Sequence, residues 1–525
     1  MNPFKRAIAA LFTTSLFILL AFAPAFTQKK SIEDIFNVNL RNFGPVKDAD
    51  AVSGYFFFYE TEGGKKSERK YVLSLLDQNL EQVGKKSFTG DKYLELQEGA
   101  YNGNALALKF SNSKEAEFTI RLLDKAGERI GSKKLPFGTF DSPRYKASGA
   151  SAAGLGDQTL FAIPGKGFVN YSVDTRKGAM SPTYYTIQFI SEDNGREKAW
   201  SLQSPEDNGE WEQASFLAAS DDVLVSTVVK RSKLMSKDLE YFVLGTDLAT
   251  GKKLFEKPIE DSKYAIMVAN AWMQDGAVRY FGQYFDKDAK TAKENSLGLC
   301  TFTMSLDGEI SNRRYVSWAK DVSQLLPAND KGKIEDVGYL FFHDFIPTPS
   351  GSVFGVAESY RKTTDALGVA GKVLNMGGGS GSTSKIVVED LYVFEFSPEF
   401  ELKAVTRIEK SKHDVYLPAG AAYMSPQVLS LIVLYFNGYD YVFTQKKDDL
   451  FSVGYTDFEM RKGEKNGLVY GAVNYLDGEL SSDKIDLATD AEELRVLPAK
   501  TGYIAVWEYY QKEKKMDIRL ERVNF

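Results

Sequence analysis

Residues 222–259 contain the pattern that decides the fold: DVLVSTVV begins at Asp222, and YFVLGTDLATGKKLFEKPI begins at Tyr241. The first run is apolar and β-branched, whereas the second starts with aromatic and apolar residues and ends with polar ones. Asp hydrogen-bonds to its own backbone in tight turns and Gly tolerates positive φ there, so Asp247 and Gly251 mark a turn. The stretch therefore predicts three antiparallel strands, of which the last two form a hairpin.

The same unit recurs along the whole chain. Seven segments of this hairpin type begin at Tyr71, Phe118, Tyr185, Tyr241, Leu299, Leu391 and Leu468. Eight apolar strands, many of them introduced by Gly, begin at Gly54, Asn104, Gly167, Asp222, Gly276, Gly351, Asp449 and Gly502. Units of roughly 50 to 75 residues with three or four short strands are typical of radial β-sheet arrays.

The repeat predicts an all-β protein, a β-propeller of seven or eight antiparallel blades. A β-sandwich rarely holds so many strands, and a helical fold is disfavoured because no long 3.6-residue periodicity occurs. The strand at Gly502 is followed by one more strand, MDIRLERV, so the last blade lacks an outer strand. We expect residues 38–46 to supply it, because an unpaired sheet edge invites aggregation.

The first 27 residues have the form of an export signal. Lys5 and Arg6 precede an apolar run that ends among small residues, which is the pattern that the export machinery reads. We expect cleavage before Gln28, a single propeller domain over residues 28–525, and a periplasmic or secreted location. The only cysteine, Cys300, is far from the cleavage site, so we expect no lipoprotein.

Residues 365–384 form a low-complexity segment that includes NMGGGSGSTS. Gly and Ser at this density bury too little apolar surface to offset their ordering entropy, so the segment is predicted to be a flexible insertion. Two interpretations remain open: a tolerated surface loop, or a mobile lid or contact loop on a rigid scaffold.

Charge and hydropathy limit the classes of partner. The formal net charge is −6 and charges of both signs are mixed along the chain, which argues against nucleic acid or an anionic membrane surface. No apolar run after the export signal reaches the ~18 residues of a membrane-spanning helix, the best candidate being residues 428–436. We expect no membrane span and a monomer whose partner is a protein, a glycan or a small molecule.

Few residues are available for catalysis. His343 and His413 are the only histidines, so a three-histidine metal site is impossible. Each is followed by Asp, and neighbouring side chains on a strand point to opposite faces, so neither dipeptide is a ready catalytic pair. Nucleophile-elbow, phosphate-loop and calcium-loop motifs do not occur. We expect no metal and no cofactor, and we assign no catalytic residue.

A recurring strand pattern supplies candidate ligand-binding residues. VFGVAESYRK and YIAVWEYYQK carry Glu and Tyr at matching positions, and FFFYETEGGK carries a Glu near the same position. Such carboxylates could form a ring around a central channel, and YLFFHDF adds a histidine. In the alternative interpretation each Glu pairs with Lys or Arg on the neighbouring strand. The candidates are Glu60, His343, Glu358, Tyr360, Glu508 and Tyr510.

Two short motifs resemble known propeller families. SEDNG at residues 191–195 resembles the core of the Asp-box of sialidase-type propellers, which implies a stabilising turn away from any active site. TDLATGK at residues 246–252 resembles the turn of quinoprotein-like propeller repeats. The chain as a whole resembles exported bacterial β-propeller-like proteins of unknown function, which implies fold and compartment only.

The sequence thus predicts an exported, non-catalytic binding scaffold. The alternative is an extracellular or periplasmic glycan-active enzyme that uses carboxylates at the channel mouth, with fold analogy as its support. Such an enzyme needs two carboxyl groups within about 5 to 10 Å of each other.

Overall fold

The computed structural model describes residues 28–37, 43–48, 51–61, 68–138, 158–175, 181–192, 199–205, 209–233, 239–259, 261–291, 294–364, 384–417, 424–459 and 467–524. These residues form eight antiparallel sheets. The first strands of most neighbouring sheets contact each other, including those of the first and last sheets, so the sheets surround one axis. The protein is an eight-bladed β-propeller, which confirms the predicted fold class.

The strands are numbered in chain order, and the first strand of each blade lies nearest the axis. Preceding the blades are β1 (Lys29–Ile32) and β2 (Ile35–Asn37). Blades 1 to 4 contain β3 (Phe43–Asp48), β4 (Ala51–Thr61), β5 (Glu68–Asp77), β6 (Gln82–Asp91); β7 (Leu94–Tyr101), β8 (Leu106–Asn112), β9 (Glu117–Leu123), β10 (Arg129–Pro136); β11 (Leu160–Ile163), β12 (Gly167–Thr175), β13 (Thr183–Ser191), β14 (Trp200–Gln203); and β15 (Trp211–Ala219), β16 (Val223–Arg231), β17 (Glu240–Asp247), β18 (Lys253–Pro258). Blades 5 to 8 contain β19 (Tyr264–Gln274), β20 (Ala277–Asp286), β21 (Gly298–Ser305), β22 (Ile310–Ser317); β23 (Tyr339–Pro347), β24 (Val353–Thr364), β25 (Ser384–Phe396), β26 (Leu402–Ile408), β27 (His413–Tyr416); β28 (Tyr441–Lys447), β29 (Leu450–Glu459), β30 (Gly467–Leu476), β31 (Glu479–Asp486); and β32 (Glu493–Pro498), β33 (Tyr503–Tyr510), β34 (Lys515–Arg522).

The repeat seen in the sequence corresponds to the outer three strands of each blade. The eight apolar strands are β4, β8, β12, β16, β20, β24, β29 and β33, each the second strand of its blade. The seven hairpins are the third and fourth strands of blades 1 to 7. Gly introduces several second strands because the chain approaches its neighbour closely there: a Cβ on Gly54 would collide with the carbonyl oxygen of Leu76.

The ring closes through a different N-terminal segment from the one predicted. The outer strand of blade 8 is β1, whose Lys29 and Ile32 pair with Arg519 and Met516 of β34. The prediction that residues 38–46 fill this position is wrong, because Phe43 begins β3, the innermost strand of blade 1. The hydroxyl of Ser31 donates to Asp517 of β34 at 2.7 Å. This polar contact helps to hold β1 at the outer edge of blade 8.

The apolar core is divided between the blades. Every pair of neighbouring blades shares one buried apolar cluster, and the cluster between blades 8 and 1 contains Phe43, Phe57 and Trp507. The ring of Phe43 stacks on Trp507 with 4.2 Å between centroids. The blades are therefore stabilised by side-by-side packing of twisted sheets, with aromatic side chains filling the space between them.

A helix, α1 (Pro426–Tyr435), interrupts the β structure before blade 7. Its hydroxyl cap, Ser425, accepts a hydrogen bond from the N–H of Val428, and Pro426 occupies the first turn, where its missing N–H costs nothing. Leu429 and Val433 pack into a cluster with Tyr360 and Val388 of blade 6. Within the described ranges, no helix has the length and apolar character needed to cross a bilayer.

Some predictions fall on residues outside those described. Two of them are the export signal at residues 1–27 and the Asp-box-like motif, of which residues 193–195 are not described. A third is the insertion at residues 365–384, of which only the last residue is described, as the start of β25.

Candidate functional site

The innermost strands depart from regular pairing. In β7, β15, β19, β23 and β28 the register against the second strand shifts by one residue. A β-bulge of this kind redirects the extra side chain out of the normal alternation. The extra residues in these five described strands are Gln97, Leu217, Ala269, His343 and Val442.

Four of these bulge residues, all except Gln97, line one cavity with a volume of about 690 Å³. It lies between the inner strands of blades 4 to 7 and is bordered by α1, and we call it the channel cavity. Its wall is mainly aromatic and aliphatic, and its size falls in the ~300–1,000 Å³ range of small-molecule sites. Among the described residues that line it, Lys331 and His343 are the ionisable bases and none is Asp or Glu.

Three buried polar atoms on residues that line the cavity have no hydrogen-bond partner within the described part of the chain. They are Oε1 of Gln283, the hydroxyl oxygen of Tyr439 and Nε2 of His343, of which the last lies close to a carboxylate. Burial raises the pKa of Tyr439 well above its ordinary value, so its hydroxyl stays protonated and able to donate. An unsatisfied buried polar group costs about 1–3 kcal/mol, so a molecule in the cavity that bonded to Gln283 or Tyr439 would gain this free energy.

The imidazole of His343 is held between aromatic rings. It stacks on Tyr441 with 4.7 Å between centroids and contacts Phe341 and Tyr439 edge to face at 4.9 and 4.8 Å. Its side chain is 3% exposed. Packing on three sides, together with the bulge, fixes the ring at the cavity wall with one orientation.

Behind His343 lies the carboxylate of Glu358, which is completely buried. Nε2 of His343 lies 2.9 Å from Oε2, a short contact that departs from hydrogen-bond alignment. The backbone N–H groups of Asp440 and Tyr441 donate to the carboxylate at 3.1 and 2.9 Å. Burial alone would raise the pKa of Glu358, but His343, Lys410 and the Tyr441 N–H together outweigh it and lower this pKa.

A buried lysine continues this cluster to the surface. Nζ of Lys410 lies 3.1 Å from Glu358 and contacts Asp440 at 2.5 Å, and its side chain is wholly buried. Asp440 in turn lies 3.3 Å from Nδ1 of His413, whose Nε2 is 2.8 Å from the carbonyl oxygen of Gly438. The two histidines of the chain therefore stand at opposite ends of one charge cluster between blades 6 and 7.

Tyr360 positions the helix that borders the channel cavity. Its hydroxyl donates to the carbonyl oxygen of Pro426 at 2.8 Å, and burial raises its pKa. From the helix, the side-chain amide of Gln427 donates to the backbone carbonyl oxygen of Glu294 at 3.0 Å and accepts from the N–H of Ser296 at 3.1 Å. Through these contacts α1 spans from blade 6 to the loop of blade 5.

The structure gathers only half of the sequence-predicted candidates. His343, Glu358 and Tyr360 lie together at the channel cavity, whereas the rest lie on blades 1 and 8. Glu60 pairs with Arg69 of the neighbouring strand at 2.7 Å, and Glu508 pairs with Arg519 at 2.5 Å. Tyr510 contacts the hydroxyl of Thr489 at 3.3 Å. Glu60 and Glu508 therefore match the alternative interpretation, in which each Glu pairs with Lys or Arg on the neighbouring strand.

Sequence reasoning missed other members of the site. Lys410 and Asp440 lie in connections between strands, and no pattern marks them. The helix could have been found, since Ser425 and Pro426 precede an apolar run in the order typical of a helix start. Gln283 lies on a strand that was predicted, but its exposure to the cavity depends on the packing of four blades.

Solved structures with partial likeness to this chain include three of distinct kinds. Prolyl oligopeptidase B from Galerina marginata is 11% identical with a TM-score of 0.36, and the match covers 92% of this chain and 56% of that one. A mutant apocarotenoid oxygenase of Synechocystis is 10% identical with a TM-score of 0.31, covering 78% and 82%. The S. cerevisiae core factor is 10% identical with a TM-score of 0.30, covering 86% and 62%.

No curated protein matches the chain. The chain spans about half the length of the prolyl endopeptidases that it matches, 54% in one case. One family model covers nearly the whole sequence, from residue 7 to residue 524. The chain therefore belongs to DUF6770, a family of unknown function.

Proposed function

We propose that this protein is a non-catalytic binding scaffold that holds a small organic molecule in the channel cavity. The observation that carries the proposal is the cavity of about 690 Å³ among aromatic side chains, whose lining residues Gln283 and Tyr439 carry polar atoms without a partner in the described structure. A folded protein satisfies nearly all of its buried polar groups, and ordered water, an ion or a ligand can complete those that the protein leaves unmatched.

The wall chemistry supports a ligand that is mainly apolar and uncharged. Aromatic rings of Phe216, Trp318, Phe341 and Tyr439 form much of the wall. Rings of this kind bury flat apolar surface well, while a few polar groups fix orientation. A cationic ligand would lose its hydration without a carboxylate, among the described lining residues, to compensate its charge.

The glycan-active enzyme is the weaker candidate. Glycosidases act through two carboxyl groups that face the scissile bond. The nearest buried carboxylate, Glu358, lies behind His343 and is occupied by Lys410 and two backbone N–H groups. The bonding of Glu358 therefore favours a fixed, orienting role over attack on a sugar.

We also propose that the protein works after export, in the periplasm or outside the cell. The support is the charged and apolar N-terminal pattern of residues 1–27 alone. Fractionation of cells, with mass-spectrometric determination of the mature N-terminus, tests this point: a mature chain starting at Gln28 supports it, and a cytoplasmic chain that retains residues 1–27 contradicts it.

Filling the cavity tests the binding function. Ala269 is a bulge residue that lines the cavity and is otherwise exposed, so Ala269→Trp should occupy cavity volume without disturbing the core. Ala126→Trp, in the exposed turn after β9, is the matched control. We expect a panel of fluorinated ring compounds, observed by fluorine NMR, to yield ligands that bind the wild type and A126W but are lost in A269W. No binding, or equal binding to A269W, would contradict the proposal.

A further inference from the structure

The bonding of Glu358 determines which nitrogen of His343 carries a proton. Oε1 accepts from Lys410 and from the N–H of Asp440, and Oε2 accepts from the N–H of Tyr441. An ionised carboxylate can only accept, so a lone pair on Nε2 at 2.9 Å from Oε2 would be repelled. Nε2 is therefore the protonated nitrogen.

The other nitrogen, Nδ1, is left without a partner. Within the described residues it makes no hydrogen bond, and His343 lines the channel cavity. The stacking of Tyr441 and the edge contacts of Phe341 and Tyr439 prevent the ring from turning to seek a partner elsewhere. Nδ1 is thus the ring nitrogen that is left to accept a hydrogen bond from a molecule in the cavity.

The surroundings of His343 favour an uncharged ring. Its side chain is 3% exposed and enclosed by aromatic rings, where a cation would lose its hydration. The adjacent carboxylate of Glu358 already accepts from the buried Lys410 and from two backbone N–H groups. A neutral imidazole with Nε2 protonated has a lone pair on Nδ1.

We propose that Nδ1 of His343 is the acceptor that selects the ligand, so that the channel cavity takes an uncharged ring compound bearing an O–H or N–H donor. This inference rests on the proposed binding function and adds the chemistry of the ligand to it. Glu358 and Lys410 act as positioning residues, because they hold the ring and its tautomer without contacting the ligand.

A matched pair of probes tests the inference. para-Fluorophenol carries the O–H donor and para-fluorotoluene replaces it with a methyl group of similar size, and fluorine NMR measures both dissociation constants. His343→Gln keeps an amide near the position of Nε2 and removes Nδ1. One neutral hydrogen bond is worth about a factor of 10, so the preference for the phenol over the toluene should fall about tenfold in H343Q.

The outcomes separate the two proposals. An equal preference in the wild type and H343Q would overturn the role of His343 while leaving the cavity as a binding site. Failure of both probes to bind, or equal binding of both to A269W, would overturn the binding function as well.

A second measurement needs no variant of His343. Nitrogen NMR of the histidine rings in the wild type reports which nitrogen is protonated, and His413→Gln assigns the two ring signals because the chain has only two histidines. We expect His343 to be the neutral, Nε2-protonated form. Protonation at Nδ1, alone or together with Nε2, would overturn the inference.

Discussion

At the scale of single residues, Lys410 is the most consequential side chain that no sequence pattern marks. It is wholly buried and neutralises two carboxylates from different blades, Glu358 and Asp440. A buried charge that loses its partner is left without solvation or compensation. Lys410 therefore holds Glu358 in place beside His343, and it also links blade 6 to blade 7.

We predict that Lys410→Met lowers the free energy of unfolding by about 3–5 kcal/mol, because the two carboxylates lose their shared cation. Urea unfolding measures the difference. Lys403→Met is the matched control, since Lys403 pairs with Glu401 at 2.8 Å on the surface. K403M should leave stability nearly unchanged. A K410M protein as stable as the wild type would show that the cluster contributes no net stability.

His413 should make the stability of the protein depend on pH. The hydrogen bond to Asp440 raises the pKa of His413 above its ordinary value of 6.5, against the opposing effect of burial. A raised pKa in the folded state stabilises the fold fully below the unfolded value, and this contribution is lost as the pH rises through the folded value. The free energy of unfolding of the wild type should therefore fall relative to that of His413→Gln as the pH rises above the pKa that the histidine has in the unfolded chain.

Unfolding of both proteins in urea at about pH 5 and about pH 9 measures this loss, and the wild-type advantage should be larger at the lower pH. An advantage that is the same at both pH values, or larger at the higher one, would contradict the raised pKa.

At the scale of elements, prediction from sequence succeeds where the signal is local. The turn of β17 and β18 places Asp247 so that its carboxylate accepts from the N–H and hydroxyl of Thr250, as the Asp-containing pattern implies. The inner strands are not predicted from the sequence, because a bulge such as the one at His343 in β23 interrupts the alternation of apolar and polar residues by which strands are recognised. The closing strand was misplaced because Phe43 and Val46 fit an inner strand as well as an outer one, and pairing between chain ends leaves no local pattern.

The N-terminal strand β1 should contribute strongly to the stability of the ring. Ile32 is 9% exposed and belongs to the cluster between blades 8 and 1, so Ile32→Ala should cost about 2–5 kcal/mol. Glu33→Ala, at the exposed neighbouring position, is the control and should be near neutral. Deleting residues 28–32 should additionally cause aggregation by exposing β34 as an edge. A deletion variant with the thermal midpoint of the wild type, measured by calorimetry, would refute closure by β1.

At the scale of the whole molecule, the candidate site exists only because the ring of blades brings residues from distant parts of the chain together. The channel cavity draws its wall from four blades and a helix, and its open polar atoms lie on Gln283 of blade 5, His343 of blade 6 and Tyr439 just before blade 7. Sequence comparison within the repeat found Glu358 and Tyr360, because they recur at matching strand positions. It also found Glu508, which the ring places on a different blade, so similar strand positions do not imply one site.

A crystal structure of the protein soaked with para-fluorophenol shows whether the channel cavity binds a ring compound. We expect electron density for the ring inside the channel cavity, between α1 and β23, with the phenol oxygen within hydrogen-bond distance of Nδ1 of His343. Density only at the outer surface, with Gln283 and Tyr439 still unpartnered or satisfied by water alone, would contradict the claim that this cavity is a ligand site.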